Sequence, residues 1–501
     1  RHGLFKLHDR LYQVRGFDAA NMSIIVGDTG LIIVDPLTSV ETAQAALALA
    51  RATLGEKRVV AVIYTHSHAD HFAGVRGVVD AADVARGAVR IIAPEGFLEH
   101  AVSENLIAGP AMGRRAAYQF GFALDAGPLG SVTSGIGPRI SLGARSLIPP
   151  TETISDARDN RIIDGVAFEF QLASDAEAPA EMHFFLPQFG ALCLAENANA
   201  TMHNILTPRG ALVRDAKRWA DHLTEAHAAF GSRTQMIFLS HAWPRFGGDA
   251  ARRFMAKHRD AYKFLHDQSV RMMNEGMTGE EIADAIALPE SLNDEWYNRG
   301  FYGSMSHNSR AVYQRYMGWY DGNPANLDIL PKEKTAARYV ALMGGAKKLR
   351  KAAGAAMDAG DYRWSAELLD KAVFADPDDM KSREMLAESY RQMAYQAESS
   401  IWRNMYLSAA RELVAESADA APAEASLDFV AATPSAMLFD LLAVRLDPSR
   451  APAKGSKTCA SGLRSSRPRS SRSRRPAVSR RWPSPLSARR VCPLSSSIRR
   501  R

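Results

Sequence analysis

Apolar residues alternate with polar ones, or run together in short blocks, over the first 65 positions and again from about 165 to 240; beyond that the apolar spacing lengthens to a helical period. "LYQVRG", "NMSIIVG" and "GLIIVDP" read as strands, and Gly27-Asp28-Thr29-Gly30 between the last two is a hairpin signal. Residues 39 to 54 predict an amphipathic helix, and "RVVAVIY" a buried strand ending at Tyr64. From Gly109 to Pro150 the chain is rich in Gly, Pro and Ser, which predicts a long irregular segment over one face. Strand-like runs return at "GVAFEFQLA", "EMHFFLP", "ALCLAE" and "TQMIFLS", with a helix pattern near 210 to 230. The pattern as a whole predicts an α/β layered structure to about Pro244.

After Pro244 strands vanish, and residues 247 to 285, 307 to 320 and 333 to 415 carry a nearly continuous helix pattern. Within "AMDAGDYRWSAELLDKAVFADPDDMKSREMLAESYRQMAYQAES" the small residues and the Gly-Asp-Tyr and Ala-Asp-Pro positions resemble a tetratricopeptide helical pair. One or two such units do not make a solenoid, so a packing or dimerisation domain is expected. "SAMLFDLLAVRL", Ser435 to Leu446, reads as the first helix of a further domain, and then the pattern collapses. After about Lys454 the sequence is Arg, Ser and Pro with no acid, a composition that cannot bury enough apolar surface to fold. The change is abrupt enough to suggest a reading-frame shift in a GC-rich gene rather than an Arg/Ser-rich RNA-binding tail. Translating the other two frames past codon 454 separates the two.

Charge changes the picture once it is divided along the chain. The 501 residues carry a net +7, but from Lys454 onward there are two Lys, thirteen Arg and no acid. Residues 1 to 453 therefore hold 47 basic and 55 acidic side chains, a net −8, which excludes the nucleic-acid reading for the folded part. Only Cys193, Cys459 and Cys492 are present, so neither a disulfide framework nor a Cys-rich metal site is expected. No apolar run approaches the roughly 18 residues of a membrane span. The chain begins at Arg1 rather than Met, which is compatible with an export signal upstream.

The densest chemistry lies in "YTHSHADHFAG", where His66, His68, Asp70 and His71 fall within six residues at the carboxyl end of a strand. Histidines at i and i+2 of an extended loop project to one side and can share a metal. Asp70 and His71, after the chain turns, can face a second. Imidazole with carboxylate suits zinc. Further ligands must come from later loops: Glu177, Glu181 and His183 in "SDAEAPAEMHFF", Glu196 and His203 in "LAENANATMHN", and His241 in "FLSHAWPRFG".

The H-x-H-x-D-H pattern after a strand resembles the metallo-β-lactamase superfamily, whose fold is a four-layer αββα sandwich. Most members complete the site with a histidine and a bridging aspartate, and here the motifs "AEAPAEMHF", "AEN", "MHNILTPRGALVRDA" and "SHAWPRFG" depart from that. They are similar instead to the alkylsulfatases of the superfamily, the type that hydrolyses dodecyl sulfate and other linear primary alkyl sulfates. "NRGFYGSMSHN", "YMGWYDGNPANL", the helical pair and "MLFDLLAVRL" extend the resemblance from about residue 10 to 450.

The resemblance implies two Zn²⁺. His66, His68 and Glu177 would hold one, Asp70, His71 and His241 the other, and Glu196 would bridge, with Glu181 and His183 as alternatives to Glu177. Three carboxylates against two Zn²⁺ leave +1, and a bound hydroxide brings the site to neutral, so an anionic ester needs extra cations. Arg209 and Arg214, with Asn204 as a neutral donor, would grip its sulfate, because the planar guanidinium fork matches such oxygens. Tyr302 and His307 are candidates to line the pocket or protonate a leaving group, against an ordinary Ser-His-Asn helix cap. Arg158, Asp159 and Tyr118 are not separable from structural roles.

The implied enzyme releases alcohol and inorganic sulfate from alkyl sulfates by a metal-activated water. It would be a periplasmic or secreted homodimer, without nucleic-acid partner or membrane span. The expected division is a catalytic domain at 1–320, an α-helical dimerisation domain at 321–420, the start of a truncated sterol-carrier-like domain at 421–453, and the Arg/Ser/Pro tail at 454–501. Another dimetal hydrolase of the fold, acting on a lactone, thioester or phosphodiester, and a non-catalytic helical scaffold are the competing readings.

Overall fold

In the computed structural model, which describes residues 2–415, 426–447 and 449, the strands build two mixed sheets. Strands β1 (Gly3–His8), β2 (Leu11–Arg15), β3 (Met22–Val26), β4 (Leu31–Val34), β5 (Val59–Ile63), β6 (Arg90–Pro94) and β7 (Glu152–Ile154) lie side by side in chain order. They are antiparallel up to β4 and parallel from β4 to β7. The second sheet runs β13-β12-β11-β10-β9-β8, from β8 (Arg158–Ile163), β9 (Val166–Leu172), β10 (Met182–Leu186), β11 (Ala191–Cys193), β12 (Met236–Phe238) and β13 (Arg245–Phe246). Its only parallel pair among the described residues is β11 with β12.

Burial explains the order of the layers. Strands β4 and β5 are apolar throughout, because both faces of a parallel central strand are covered. Inward faces of the two sheets meet as Ile25, Ile32, Val34, Ile63 and Ile92 against Phe168, Phe170, Phe184 and Phe238. On the outer face of the first sheet pack the helices Val40–Leu54 and Phe97–Leu106, through Ala43, Ala46, Leu47, Phe97 and Ala101. The helices Ala216–Phe230 and Gly248–Asn274 cover the second through Trp219, Leu223, Phe254 and Tyr262. This is the expected αββα sandwich, followed by an all-helical part.

Two local expectations change. The Gly/Pro/Ser-rich segment is irregular only from about 120 to 151; its first part, Gly109–Gln119, is a helix. Pro110 sits in the first turn, where a missing N–H costs no hydrogen bond. Strand character also persists just past Pro244, as β13 pairs with β12 at the sheet edge.

The helical part consists of Lys332–Leu342, Ala346–Asp358, Tyr362–Ala375, Met380–Gln396 and Ser400–Val414. Asp361 and Asp379 cap the third and fourth of these, and Leu349, Ala353, Leu368, Leu369, Ala372 and Leu386 form their shared core. The tetratricopeptide-like pair is tied by the hydroxyls of Ser365 and Ser389 at 2.9 Å. Two short helices follow, Leu427–Ala432 and Ser435–Ala443, whose Phe429 and Leu441 join the core outside the first sheet. Asp428 pairs with Arg76 at 2.6 Å. The tail expected after Lys454 lies outside the described residues. Among those described, no helix is long and apolar enough to cross a membrane.

Candidate active site

Five loops leaving the sheets at one end converge. Asp35 follows β4, the His66–His71 segment follows β5, Glu177 lies between β9 and β10, Glu196 follows β11 and His241 follows β12. The two sheets are stitched at this end: His66 pairs with Glu181 in an isolated antiparallel bridge, and the Met182 N–H donates to the Thr65 carbonyl at 2.9 Å. After extended His68, a single 3-10 turn, Ala69–His71, swings Asp70 and His71 to the far side of the cluster. Four of these loops pass through left-handed backbone at a non-glycine residue, Asp35 (φ 54°), Asp175 (φ 65°), Ala195 (φ 47°) and Ala242 (φ 60°). Strain of this kind persists where surrounding structure over-determines the loop, and it gathers at functional sites.

The converged side chains form two nests. In the first, His66 Nε2 lies 3.6 Å from Glu177 Oε2 and 3.2 Å from Glu196 Oε2, and His68 Nδ1 lies 2.8 Å from Glu177 Oε2. In the second, Asp70 Oδ2 faces His71 Nε2 at 3.3 Å and His241 Nε2 at 3.5 Å, and those two nitrogens are 3.2 Å apart. Glu196 Oε2 also lies 3.3 Å from both His71 and His241, so one carboxylate oxygen faces both nests. Ligands on a tetrahedral Zn²⁺ at about 2.0–2.1 Å stand roughly 3.3 Å from one another, which is the spacing found. His66 Nε2 and Glu177 Oε2 are buried with no hydrogen bond, a costly arrangement that a cation between them removes. The seven side chains therefore fit a pair of divalent ions.

Neighbouring groups fix which ring nitrogen points inward. Asp35 Oδ2 accepts from His71 Nδ1 at 3.0 Å, and from Thr65 Oγ1 and Ser240 Oγ at 2.8 Å each. Nδ1 of His66 meets Thr65 Oγ1 at 3.0 Å and that of His241 meets the Ala19 carbonyl at 2.9 Å, leaving Nε2 of all three histidines for the cluster. Burial works against the charge of Glu177, Glu196 and Asp70. Nonetheless Arg214 and His68 hold Glu177, His241 and His203 hold Glu196, and His71 and His241 hold Asp70 well below the usual carboxylate range. Two buried carboxylates and the half-buried Asp70, all kept anionic, suit cations.

Glu181 and His183, the alternatives to Glu177, have other places. Glu181 accepts the backbone N–H groups of Glu177, Ala178 and Glu196 at 3.2 Å each, and so positions both glutamate loops. Burial and the Glu177 charge push its carboxyl well above the usual range. His183 is buried in β10 with neither ring nitrogen bonded.

Beside the first nest lies a cationic pocket. Arg214 is 8% exposed, 2.5 Å from Glu177 Oε1, and donates to Asn204 Oδ1 at 2.7 Å and to the Asn204 carbonyl at 2.8 Å. It braces a ligand and the pocket loop together. Asn204 Nδ2 is buried without a partner. Arg209 pairs with Glu104 at 2.5 Å, and its backbone N–H donates to Gln119 Oε1 at 2.8 Å. Tyr302, 5% exposed, stands edge-on to His203 and in the field of Arg214 and Arg209, and burial pushes its phenol up. His307 turns away: its Nε2 bonds the Leu206 carbonyl, and its N–H donates to Ser304, the helix cap. Arg158 lies over the Phe230 ring and Asp159 pairs with Arg161, while the Tyr118 carbonyl accepts from Ser408; none of these contacts reaches the cluster.

Three residues at the site escaped the sequence reading, Asp35, Glu104 and Gln119, while His203, offered there among the further ligands, lies against the shared carboxylate. His203 donates from Nε2 to Glu196 Oε1 at 2.9 Å and completes the environment of the shared carboxylate. Asp35, ending a strand parallel to the one before His66, was the most findable of them.

Residues 15–144 match the family profile of the metallo-beta-lactamase superfamily, and residues 278–416 that of alkyl sulfatase dimerisation. The chain is 47% identical over 451 residues to an (R)-specific secondary-alkylsulfatase of Pseudomonas sp, covering 90% of this chain and 68% of that protein. It is 46% identical over 453 residues to the alkyl/aryl-sulfatase BDS1 of Saccharomyces cerevisiae, covering 90% and 70%. Among solved structures, the stereoselective inverting sec-alkylsulfatase Pisa1 from Pseudomonas sp. superposes with a TM-score of 0.87 at 47% identity, over 89% of this chain and 70% of that one.

Proposed function

The chain belongs to the alkylsulfatases of the metallo-β-lactamase superfamily, and from that premise we propose that it hydrolyses alkyl sulfate monoesters, dodecyl sulfate among them, at a centre of two zinc ions. His66, His68 and Glu177 hold one ion and Asp70, His71 and His241 the other, with Glu196 shared. Such ions supply Lewis acidity and a nucleophilic water at neutral pH. The observation that carries the reading is the orphaned Asn204 amide. A buried N–H₂ without an acceptor, on a side chain whose Oδ1 accepts from Arg214 and beside a carboxylate-rich cation site, is the complement of a sulfate oxygen.

In this reading Arg209 and Asn204 Nδ2 grip the sulfate oxygens, and Arg214 keeps Glu177 and Asn204 in place. Tyr302, which retains its proton, donates a hydrogen bond to the departing group; His307 holds the Leu206 loop instead. The apolar cluster of Phe120, Ile136 and Ile401 around Tyr302, with Trp402 packed against it, supports an alkyl-chain site where the helical part meets the sandwich. The balance is alkyl sulfate monoanion plus water to alcohol, sulfate dianion and a proton. The solved relative is described as inverting, and inversion at carbon requires attack there; in H₂¹⁸O the label then enters the alcohol. Label in the sulfate overturns that part.

Purified protein is expected to contain two zinc ions and to release sulfate from dodecyl sulfate. Two zinc ions with no sulfate release but turnover of a lactone would falsify the substrate assignment. Residues 321–420 carry the proposed homodimer contact, supported by the exposed Trp319, Leu327, Ile329 and Leu342 in or just before them. Sedimentation at micromolar concentration checks it, a monomer being the contrary result. A periplasmic or extracellular site of action is the matching proposal on location, checked by cell fractionation.

A further inference from the structure

One carboxylate beside the cationic pocket has no part in the chemistry above. Glu104, on the helix Phe97–Leu106, places Oε1 2.5 Å from Arg209 Nη1 and Oε2 3.7 Å from His68 Nε2. Both partners of the Glu104–Arg209 pair are only 18% exposed, so solvent screens the pair little. The arginine best placed to hold an anion thus already faces a fixed one. That is unexpected in a pocket for an anionic ester, since a fixed negative charge weakens binding of every anion and a paired guanidinium is only partly available.

The two anions of the reaction are not weakened equally. An alkyl sulfate carries one negative charge and inorganic sulfate carries two, and the Coulomb energy with a fixed charge scales with the charge of the ligand. A carboxylate at this place therefore raises the free energy of bound product twice as much as that of bound substrate. We propose that Glu104 is a specificity-determining residue that disfavours the sulfate dianion relative to the ester monoanion, and so promotes product release from the Arg209 pocket. The inference rests on the alkyl sulfatase reading of this site. It differs from a plain structural tie between the helix and the 204–214 loop, because a tie treats the two anions alike.

The test uses the zinc-loaded enzyme with Glu104→Gln, a second removal variant Glu104→Ser, and the charge-keeping Glu104→Asp. Sulfate affinity is read by calorimetric titration, ester affinity by the same titration with octyl sulfonate, an unhydrolysed monoanionic stand-in for the ester, and zinc content by elemental analysis. Removing the charge is expected to tighten sulfate about tenfold and the ester about threefold, the square-root relation that charges of two and one require. Zinc content stays at the wild-type value, and Glu104→Asp stays within about twofold of wild type for both anions. Equal changes for the two anions, weaker binding of both, or loss of zinc in the removal variants each overturn the proposal; the last places the role of Glu104 on His68. If the wild type releases no sulfate from any alkyl ester, the reading of the site has failed, and the calorimetric arm still decides what Glu104 does to a dianion.

Discussion

Between residues 60 and 245 the protein buries His66, His68, His71, His183, His203, His241, Glu177, Glu181, Glu196 and Arg214, whereas the helices from 346 to 414 bury leucines, alanines, serines, Ile401 and Asn404 and no ionisable side chain. The same chain thus packs two interiors on different terms. Each buried ion in the first must be offset by partners, which is why its loops are cross-bonded through Asp35, Glu181, His203 and Arg214. The second needs only fitting volumes and capped ends. Side-chain changes among the buried ions of the first region should therefore appear in the chemistry, and those in the core of Leu349, Leu368, Leu369 and Leu386, away from Ile401 and Trp402, in stability alone.

The largest expected effect is at the shared carboxylate. Glu196→Ala leaves both nests without their common oxygen, and sulfate release is expected to fall at least about a thousandfold, or ~4 kcal/mol of barrier, with loss of zinc. Elemental analysis beside the sulfate assay checks it; near-normal turnover would mean that the nests are not one centre.

Leu369→Ala, at the middle of the helical core, is the counterpart. It removes a fully buried side chain from the cluster of Leu349, Leu368, Ala372 and Leu386, and unfolding free energy is expected to drop by ~2–5 kcal/mol. At temperatures where the variant stays folded, kcat and zinc content remain at wild-type values. A loss of activity per folded molecule would tie the helical interior to the site and remove the distinction drawn here.

Acid tests the cost of burying an ionisable group at a third place, His258 on the helix Gly248–Asn274 that covers the second sheet. Burial holds the His258 imidazole down at about 4, against 6.5 in the unfolded chain. The unfolded state then binds the proton first. Stability contributed by this group is complete above pH 6.5 and declines as pH falls toward 4, by about 3 kcal/mol in total. Urea unfolding of wild type and His258→Asn at pH 7.5 and 4.5 reads it as a shallower pH dependence in the variant. An unchanged slope would assign the acid sensitivity elsewhere.

How much of this was legible follows the same divide. The helical part was visible as a nearly continuous pattern from 333 to 415, because a packed apolar stripe is a local signal, although the breaks that divide it into five helices were not read. Of the strands, β1, β6, β7, β8 and β13 were not read; four of these are sheet edges, and β8, with Arg158, Asp159 and Arg161, has the charged and polar character that protects an edge and hides its periodicity, whereas β6 lies inside its sheet. Gly109 and Pro110 concealed a helix by resembling breakers. The HxHxDH segment announced metal chemistry by local density, and the two glutamates came through resemblance. Glu104 and Gln119 carried no signal at all, since an acid or amide on a helix is ordinary until a distant loop is laid against it.

Asp35→Asn probes the smallest effect that the comparison predicts, and the most specific. Asparagine keeps the size of the side chain but puts an N–H₂ where one carboxylate oxygen stood. In Asp35, Oδ1 accepts the Thr65 N–H at 2.8 Å, while Oδ2 accepts from the Thr65 and Ser240 hydroxyls and from His71 Nδ1. Either orientation of the amide sets an N–H against a donor. If it faces His71, the imidazole loses the partner that fixes its tautomer with Nε2 toward the cluster. Such outer partners are typically worth 10–100-fold in metal affinity or activity, about 1.4–2.7 kcal/mol. Zinc competition against a chelator should show a loss in that range, and Asp35→Glu should not restore it, because the left-handed turn at φ 54° leaves a longer side chain misplaced. Unaltered zinc affinity would show that the second nest holds its geometry without this brace, and that cross-bonding of the buried polar region is less demanding than its density of contacts implies.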